Sequence, residues 1–173
     1  MIRTFNRWFY PTLLGLFTAK RKLDYKSVPI VINNFNRYDK LLTLIDGLES
    51  RGYSNIWIID NDSSYPPLLE WYKTCPYKVP LLHENIGHLA LYKTGLFKLF
   101  RSSYFAYTDS DLEICKECPD DFMEKCIKLL KSDPRVVKVG FSLRIDDIPD
   151  HYANKKEVIE WESQFWKKEV RKG

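Results

Sequence analysis

After Lys26 the chain alternates between two kinds of apolar pattern. Val28-Pro29-Ile30-Val31-Ile32 is a short continuous apolar run rich in β-branched residues, the signature of a strand buried on both faces. Leu41, Leu42, Leu44, Ile45 and Leu48 then recur at helical spacing, predicting a helix over 38–50 that Gly52 is placed to end. Ile56-Trp57-Ile58-Ile59 is a second buried-type strand, and Pro66-Pro67 suits the first turn of a helix reaching about Tyr72. Val79 to His83 reads as a third, edge-type strand. Leu89, Tyr92, Leu96 and Leu99 trace one face of a single helix, and Tyr104 to Thr108 reads as a fourth strand. Pro119 opens a helix with Phe122, Cys126, Leu129 and Leu130 inside and Asp120 and Asp121 against its N-terminal dipole. Pro134 breaks it, Val136 to Leu143 predicts a fifth strand, and 154–170 a last helix with Val158, Trp161 and Phe165 on one side.

Strands alternating with helices argue for an α/β fold: a mostly parallel, doubly wound sheet with helices on both faces. The 173-residue chain is long enough for one domain with a core, assigned to 27–173. Residues 1–26 form a separate basic and apolar segment. Its run from Trp8 to Phe17 is interrupted by Pro11, Thr12 and Gly15 and is shorter than the roughly 20 residues needed to span a bilayer. With Arg3, Arg7, Lys20, Arg21 and Lys22 around it, this segment suits a short helix packed on the domain or lying at a membrane interface.

In open α/β sheets, ligands sit beyond the carboxyl ends of the strands. Here those ends are polar: Asn33-Asn34-Phe35-Asn36-Arg37, Asp60-Asn61-Asp62, Glu84-Asn85-Ile86-Gly87-His88 and Asp109-Ser110-Asp111. Asp109 and Asp111, one residue apart on a turn, suit a hard cation such as Mg²⁺ or Mn²⁺, which takes one or two carboxylates and leaves other positions to phosphate and water. A solvated turn is the plainer account of the same residues. Asp60 or Asp62 offers a carboxylate to a base N–H or ribose hydroxyl, or else closes an Asx turn on its own backbone. Gly87 permits close backbone approach ahead of a helix N-terminus, and Lys93 lies far enough along to reach the same rim.

Hydrophobic content of 45%, charged content of 29% and a net charge of +4 are ordinary for a globular protein and give no nucleic-acid arm. The 15% aromatic content serves a core first; Trp161 and Trp166 read as anchors of the last helix before sugar-stacking platforms. Cys115 and Cys118 form a C-x-x-C with no second pair at zinc-site spacing, so reduced thiols in a cytoplasmic protein are expected. A Walker loop and a G-x-G-x-x-G fingerprint are absent, and the loop Asn33 to Arg37 lacks the glycines expected of a nucleotidyltransferase.

Taken in order, four stretches resemble the GT-A nucleotide-diphospho-sugar transferases, in particular family 2 glycosyltransferases: Pro29 to Arg37, Ile58 to Ser64, Glu84 to Gly87 and Tyr104 to Asp111. The resemblance covers roughly 28–145. It implies a GT-A-like, Rossmann-like fold and transfer of a sugar from a UDP- or GDP-type donor to a hydroxyl of a glycan or lipid-linked acceptor, in glycan or polysaccharide assembly. It further implies that Asn33, Asn36, Arg37 and Asp60 or Asp62 hold the nucleoside, and that Asn85, Gly87 and Lys93 lie near the diphosphate or donor sugar. Asp109 and Asp111 would be the metal-binding D-x-D. The family's catalytic carboxylate lies well beyond that motif; Asp146 and Asp147 are the first candidates, Glu160 and Glu162 the next. With the chain ending at Gly173, part of the acceptor-binding C-terminal region is expected to be missing. The alternative expectation is a catalytically incomplete remnant that binds nucleotide-sugar or a partner protein.

Overall fold

The computed structural model describes residues 23–101 and 103–167, with side chains to 165. The expectations for 1–22, including the apolar run from Trp8, and for the side chain of Trp166 fall outside the described residues. The chain divides into two compact units, one ending at Glu124 and one beginning at Lys125. Among the described residues, no helix is long and apolar enough to cross a membrane.

The first unit is built on a parallel three-stranded sheet. Its strands are β1 (Ile30–Asn34), β2 (Ile56–Asp60) and β3 (Ala106–Asp109), in the spatial order β2-β1-β3. Helix α1 (Tyr38–Glu49) links β1 to β2, followed by α2 (Pro66–Tyr72) and the single turn α3 (Ala90–Lys93) before β3. Sequence alternation divides the sheet's two faces. Val31 and Ile59 pack with Ala90, Leu91 and Phe100 on one face, joined by Trp57, Leu82, Ile86 and Tyr107. Ile30, Ile32 and Ile58 belong to the other and are at most 3% exposed. The apolar stripe of α1 is likewise closed to solvent at Leu41, Leu44, Ile45 and Leu48. Burying each of these side chains contributes about 1.5–3 kcal/mol. β1, the central strand, is apolar on both faces for that reason, which is why its sequence reads as an unbroken run.

Three predicted elements come out differently. In place of the expected strand Val79 to His83 lies an edge segment held to β2 by two isolated bridges, Trp57 with Lys78 and Asp60 with Leu81, and the chain leaves it at His83, φ +56°. Ile58 N–H donates to the Lys78 carbonyl, Asp60 N–H to that of Pro80, and Leu82 N–H to that of Asp60. The one bond a continuous ladder would add between these is from residue 80 to the Ile58 carbonyl, and Pro80 has no N–H to supply it. The single helix expected from Leu89 to Leu99 is two short pieces, α3 and a 3₁₀ turn (Leu96–Leu99). They are separated by Gly95 at φ +76°, a backbone conformation that ends a helix.

The fifth strand is the third difference. Residues 136–143 adopt no strand, and Val137, Phe141 and Leu143 are exposed. The period-two apolar pattern there has no ladder partner among the described residues.

In the second unit, α4 (Phe122–Ser132) begins just before the division and α5 (Lys155–Lys167) follows a long irregular stretch. Helix α4 starts three residues after Pro119, whose carbonyl accepts from Phe122 N–H. Asp133 closes α4: its carboxylate accepts from the Arg135 backbone N–H at 2.9 Å and from Nη2 at 2.8 Å. Trp161, expected as an anchor, is 65% exposed.

Candidate functional site

The strand registers decide whether the polar turns meet. Asn34 lies opposite Asp60 across β1–β2, and Asn33 lies opposite Asp109 across β1–β3. The three strands therefore end level. Two further backbone bonds carry the alignment past the sheet: Asn61 N–H donates to the Asn34 carbonyl at 2.8 Å and Ser110 N–H to the Asn33 carbonyl at 3.1 Å. The turns after β1, β2 and β3 thus share one edge.

The loop at 84–88 joins that edge through Asn61, which is 2% exposed. Its Oδ1 accepts from Ile86 N–H at 2.7 Å and its Nδ2 donates to the Gly87 carbonyl at 3.1 Å. Gly87 stands at φ +80° with open space where a Cβ would be, and its N–H donates to Asn85 Oδ1 at 3.0 Å. The Tyr107 hydroxyl donates to the His88 carbonyl at 2.9 Å, fixing the far end of the loop to β3. Burial holds the Tyr107 phenol above its ordinary pKa, so it stays a donor. Lys93 is exposed, with Nζ 3.4 Å from the Ile86 carbonyl.

Beneath the rim lies a buried polar network. Tyr72 donates its hydroxyl to Asp60 Oδ2 at 2.9 Å and accepts from Asn34 Nδ2 at 2.9 Å. Asp60 Oδ1 accepts from Ser63 N–H at 2.8 Å, so both carboxylate oxygens are engaged and the residue is 2% exposed. Desolvation, with Asp60 nearby, pushes the Tyr72 phenol far above its ordinary value. Asn36, at φ +55°, is likewise occupied: its Oδ1 accepts from the N–H groups of Ser64 and Tyr65 as the chain enters α2. Asp62, by contrast, is exposed at φ +72°, and Phe35 shows 42% of its surface on the neighbouring turn.

The acidic turn lies exposed at the β3 side of the edge. Asp109 and Asp111 are both exposed, with Ser110 buried between them. Arg37, one turn away on the β1 side, sets Nη1 3.2 Å from Asp111 Oδ2. Three buried oxygens here lack a hydrogen-bond partner: Asn33 Oδ1, Asn34 Oδ1 and Ser110 Oγ. Such orphans cost about 1–3 kcal/mol each, a cost compatible with a site that completes its bonding elsewhere.

The donor set fits a hard divalent cation: two carboxylates on one turn, all-oxygen chemistry, and room for phosphate and water to complete the shell. No group of three His, Cys, Asp or Glu side chains suited to a metal occurs among the described residues. The two carboxylates of the turn would therefore hold such an ion only with its other positions left to phosphate and water. No disulfide joins the cysteines among the described residues.

Asp146 and Asp147 belong to the second unit. Arg144 forks onto Asp146, Nε to Oδ1 and Nη2 to Oδ2, both at 3.0 Å. These bonds hold the Asp146 carboxyl below the usual range and so weaken it as a proton acceptor. Asp147 is 3.9 Å from the same guanidinium. Sequence reasoning missed Asn61 and Tyr72. Asn61 carried a signal, as an amide between two acids at a strand end; nothing in the sequence pairs Tyr72 with Asn34 and Asp60.

A family model described as "Glycosyl transferase family 2" matches residues 30–172, a span that takes in the whole sheet and every turn on its polar edge. Among curated proteins, none matches the chain.

Proposed function

The chain belongs to glycosyltransferase family 2, whose members generally transfer sugars from nucleotide-sugar donors, and from that premise we propose a metal-dependent transferase that uses a UDP- or GDP-sugar. The acceptor is a hydroxyl on a glycan or a lipid-linked saccharide, consistent with a role in polysaccharide assembly. The observation that carries this reading is the level ending of β1, β2 and β3, with Asn33 opposite Asp109 and Asn34 opposite Asp60. It gathers an exposed acidic turn, a guanidinium and a glycine loop on one edge, the set a metal-bound diphosphate requires.

The roles follow from exposure and free valence. Asp109 and Asp111 would hold Mn²⁺ or Mg²⁺, which supplies charge neutralisation to a departing diphosphate. Asp62, exposed where Asp60 is closed in, faces the nucleoside, and the Phe35 ring offers a stacking face for its base. Asp60 and Asn36 act one step back, Asp60 through Tyr72 and Ser63 and Asn36 by tying the β1 turn to the entry of α2. Asn33 lends its unpartnered Oδ1 to the same pocket. The backbone at Asn85 and Gly87 approaches the diphosphate, with Lys93 as a mobile positive charge beside it. Deprotonation of the acceptor falls to a carboxylate beyond the acidic turn. Asp146 and Asp147 are the candidates, and the Arg144 fork onto Asp146 lowers the readiness of that carboxylate to take a proton. A cytoplasmic setting, with peripheral membrane contact through 1–26, goes with such an acceptor.

Calorimetric titration with UDP and GDP, with and without Mn²⁺, tests the reading. Binding should require Mn²⁺, and Asp111→Ala should lower it and any sugar transfer about 100-fold or more, with the melting temperature unchanged. Nucleotide binding indifferent to Mn²⁺ and to Asp111 would count against it.

A further inference from the structure

We propose that Arg37 is a resident counter-cation for Asp111, so that the acidic turn accepts a divalent cation together with a diphosphate and holds free cation weakly. This rests on the reading of the edge as a metal–diphosphate site. The two carboxylates of the turn are not equivalent. Asp111 Oδ2 has Arg37 Nη1 at 3.2 Å, whereas Asp109 forms no ion pair among the described residues. The pair bridges two strand ends, Arg37 following β1 and Asp111 following β3, and the level register brings them within reach. Arg37 is anchored at its backbone, where its carbonyl accepts from Leu41 N–H at 2.9 Å to start α1. Its side chain is 57% exposed and that of Asp111 39%, so water and salt reach both and the guanidinium can change partner at little cost.

The chemistry gives that exchange a direction. A guanidinium stays charged at any working pH and binds phosphate through two parallel N–H groups, where it now makes one ion-pair contact. With no ligand, Arg37 offsets the charge that a cation would need at Asp111. A diphosphate carries enough negative charge to draw Arg37 across, which releases Asp111 to the cation arriving with it. One side chain thereby couples the two ligands, and the coupling is reciprocal. It also assigns Arg37 to the diphosphate end of the donor, whereas the family resemblance sets it beside the nucleoside.

The test is Mn²⁺ binding to the full chain, followed by the electron paramagnetic resonance signal of free Mn²⁺ with no nucleotide present. Arg37→Gln should bind Mn²⁺ alone roughly threefold to tenfold more tightly than the wild type, and adding Asp111→Asn should remove the gain. Arg37→Lys keeps the charge and should stay near the wild type. At saturating Mn²⁺, UDP or GDP should bind Arg37→Gln about tenfold more weakly. Arg37→Met gives the same reading should glutamine lower the melting temperature. Mn²⁺ affinity that is unchanged or weaker in the uncharged variants overturns the proposal. If the wild type still binds nucleotide with Mn²⁺ in that event, only the role of Arg37 falls; if it binds none, the reading of the site falls as well.

Discussion

The units on either side of Glu124 differ in what they bury. The first closes a continuous core over both faces of its sheet, from Val28 through Phe100, and buries Asn34, Asp60, Asn61 and Ser110 at its polar edge. Among the described residues past Glu124, Ile127 is the one buried hydrophobic side chain, while Leu129, Val137, Phe141, Trp161 and Phe165 stand exposed. The proposed donor-side residues all lie in the first unit, and the candidate proton acceptors Asp146 and Asp147 lie in the second. The difference shows that an apolar pattern alone does not make structure. Ile56 to Ile59 and Val136 to Leu143 both read as strands, but the first has β1 to pair with, whereas residues 136–143 join no strand ladder among the described residues.

Three substitutions probe that contrast. Leu41→Ala, in the stripe of α1 that is fully closed to solvent, should cost about 2–5 kcal/mol in urea unfolding. A loss below 1 kcal/mol would mean the first unit is not the stabilising one. Tyr72→Phe comes next, at about 1–2 kcal/mol, because it strands Asn34 Nδ2 and Asp60 Oδ2 without their shared hydroxyl. Its pH signature is specific. The folded pKa of Tyr72 is raised above the ordinary value of 10.0, so the phenol's contribution is complete below about pH 10 and is lost as pH climbs toward the folded pKa. The variant should therefore lose less stability than the wild type between neutral and strongly alkaline pH; parallel losses in denaturant melts would refute the buried hydroxyl. Smallest of all, Phe141→Ser should stay within about 0.5 kcal/mol, since the ring is 63% exposed. A large destabilisation there would erase the distinction between the units.

Much of the first unit was legible in the sequence, and for a stated reason. β1, α1, β2 and α2 are set by local pattern and by residues that act on their own backbone, such as Pro66 at the start of α2. The edge carrying Asp109 and Asp111 was legible too, because parallel strands of similar length end together. What escaped depends on contacts distant in sequence. The partners of Asp60 and Asn36 are such contacts: each of these side chains is already engaged by protein groups. Pro80 was visible as a residue, but its effect depended on register: only opposite Ile58 does a missing N–H interrupt a ladder.

That omitted rung at Pro80 has a consequence for how the edge works. A segment tied to its neighbour by intermittent bonds opens at lower free energy than the strand it borders. The stretch leading into Gly87 can therefore breathe while β2 stays zipped. What brings it back to one resting position is the carboxamide of Asn61, gripping the backbone at Ile86 and Gly87 from below. The glycine loop thus hangs between two side chains, Asn61 under Ile86 and Gly87 and Tyr107 at His88, and the stretch before it can yield to a ligand without disturbing the sheet that carries the acidic turn.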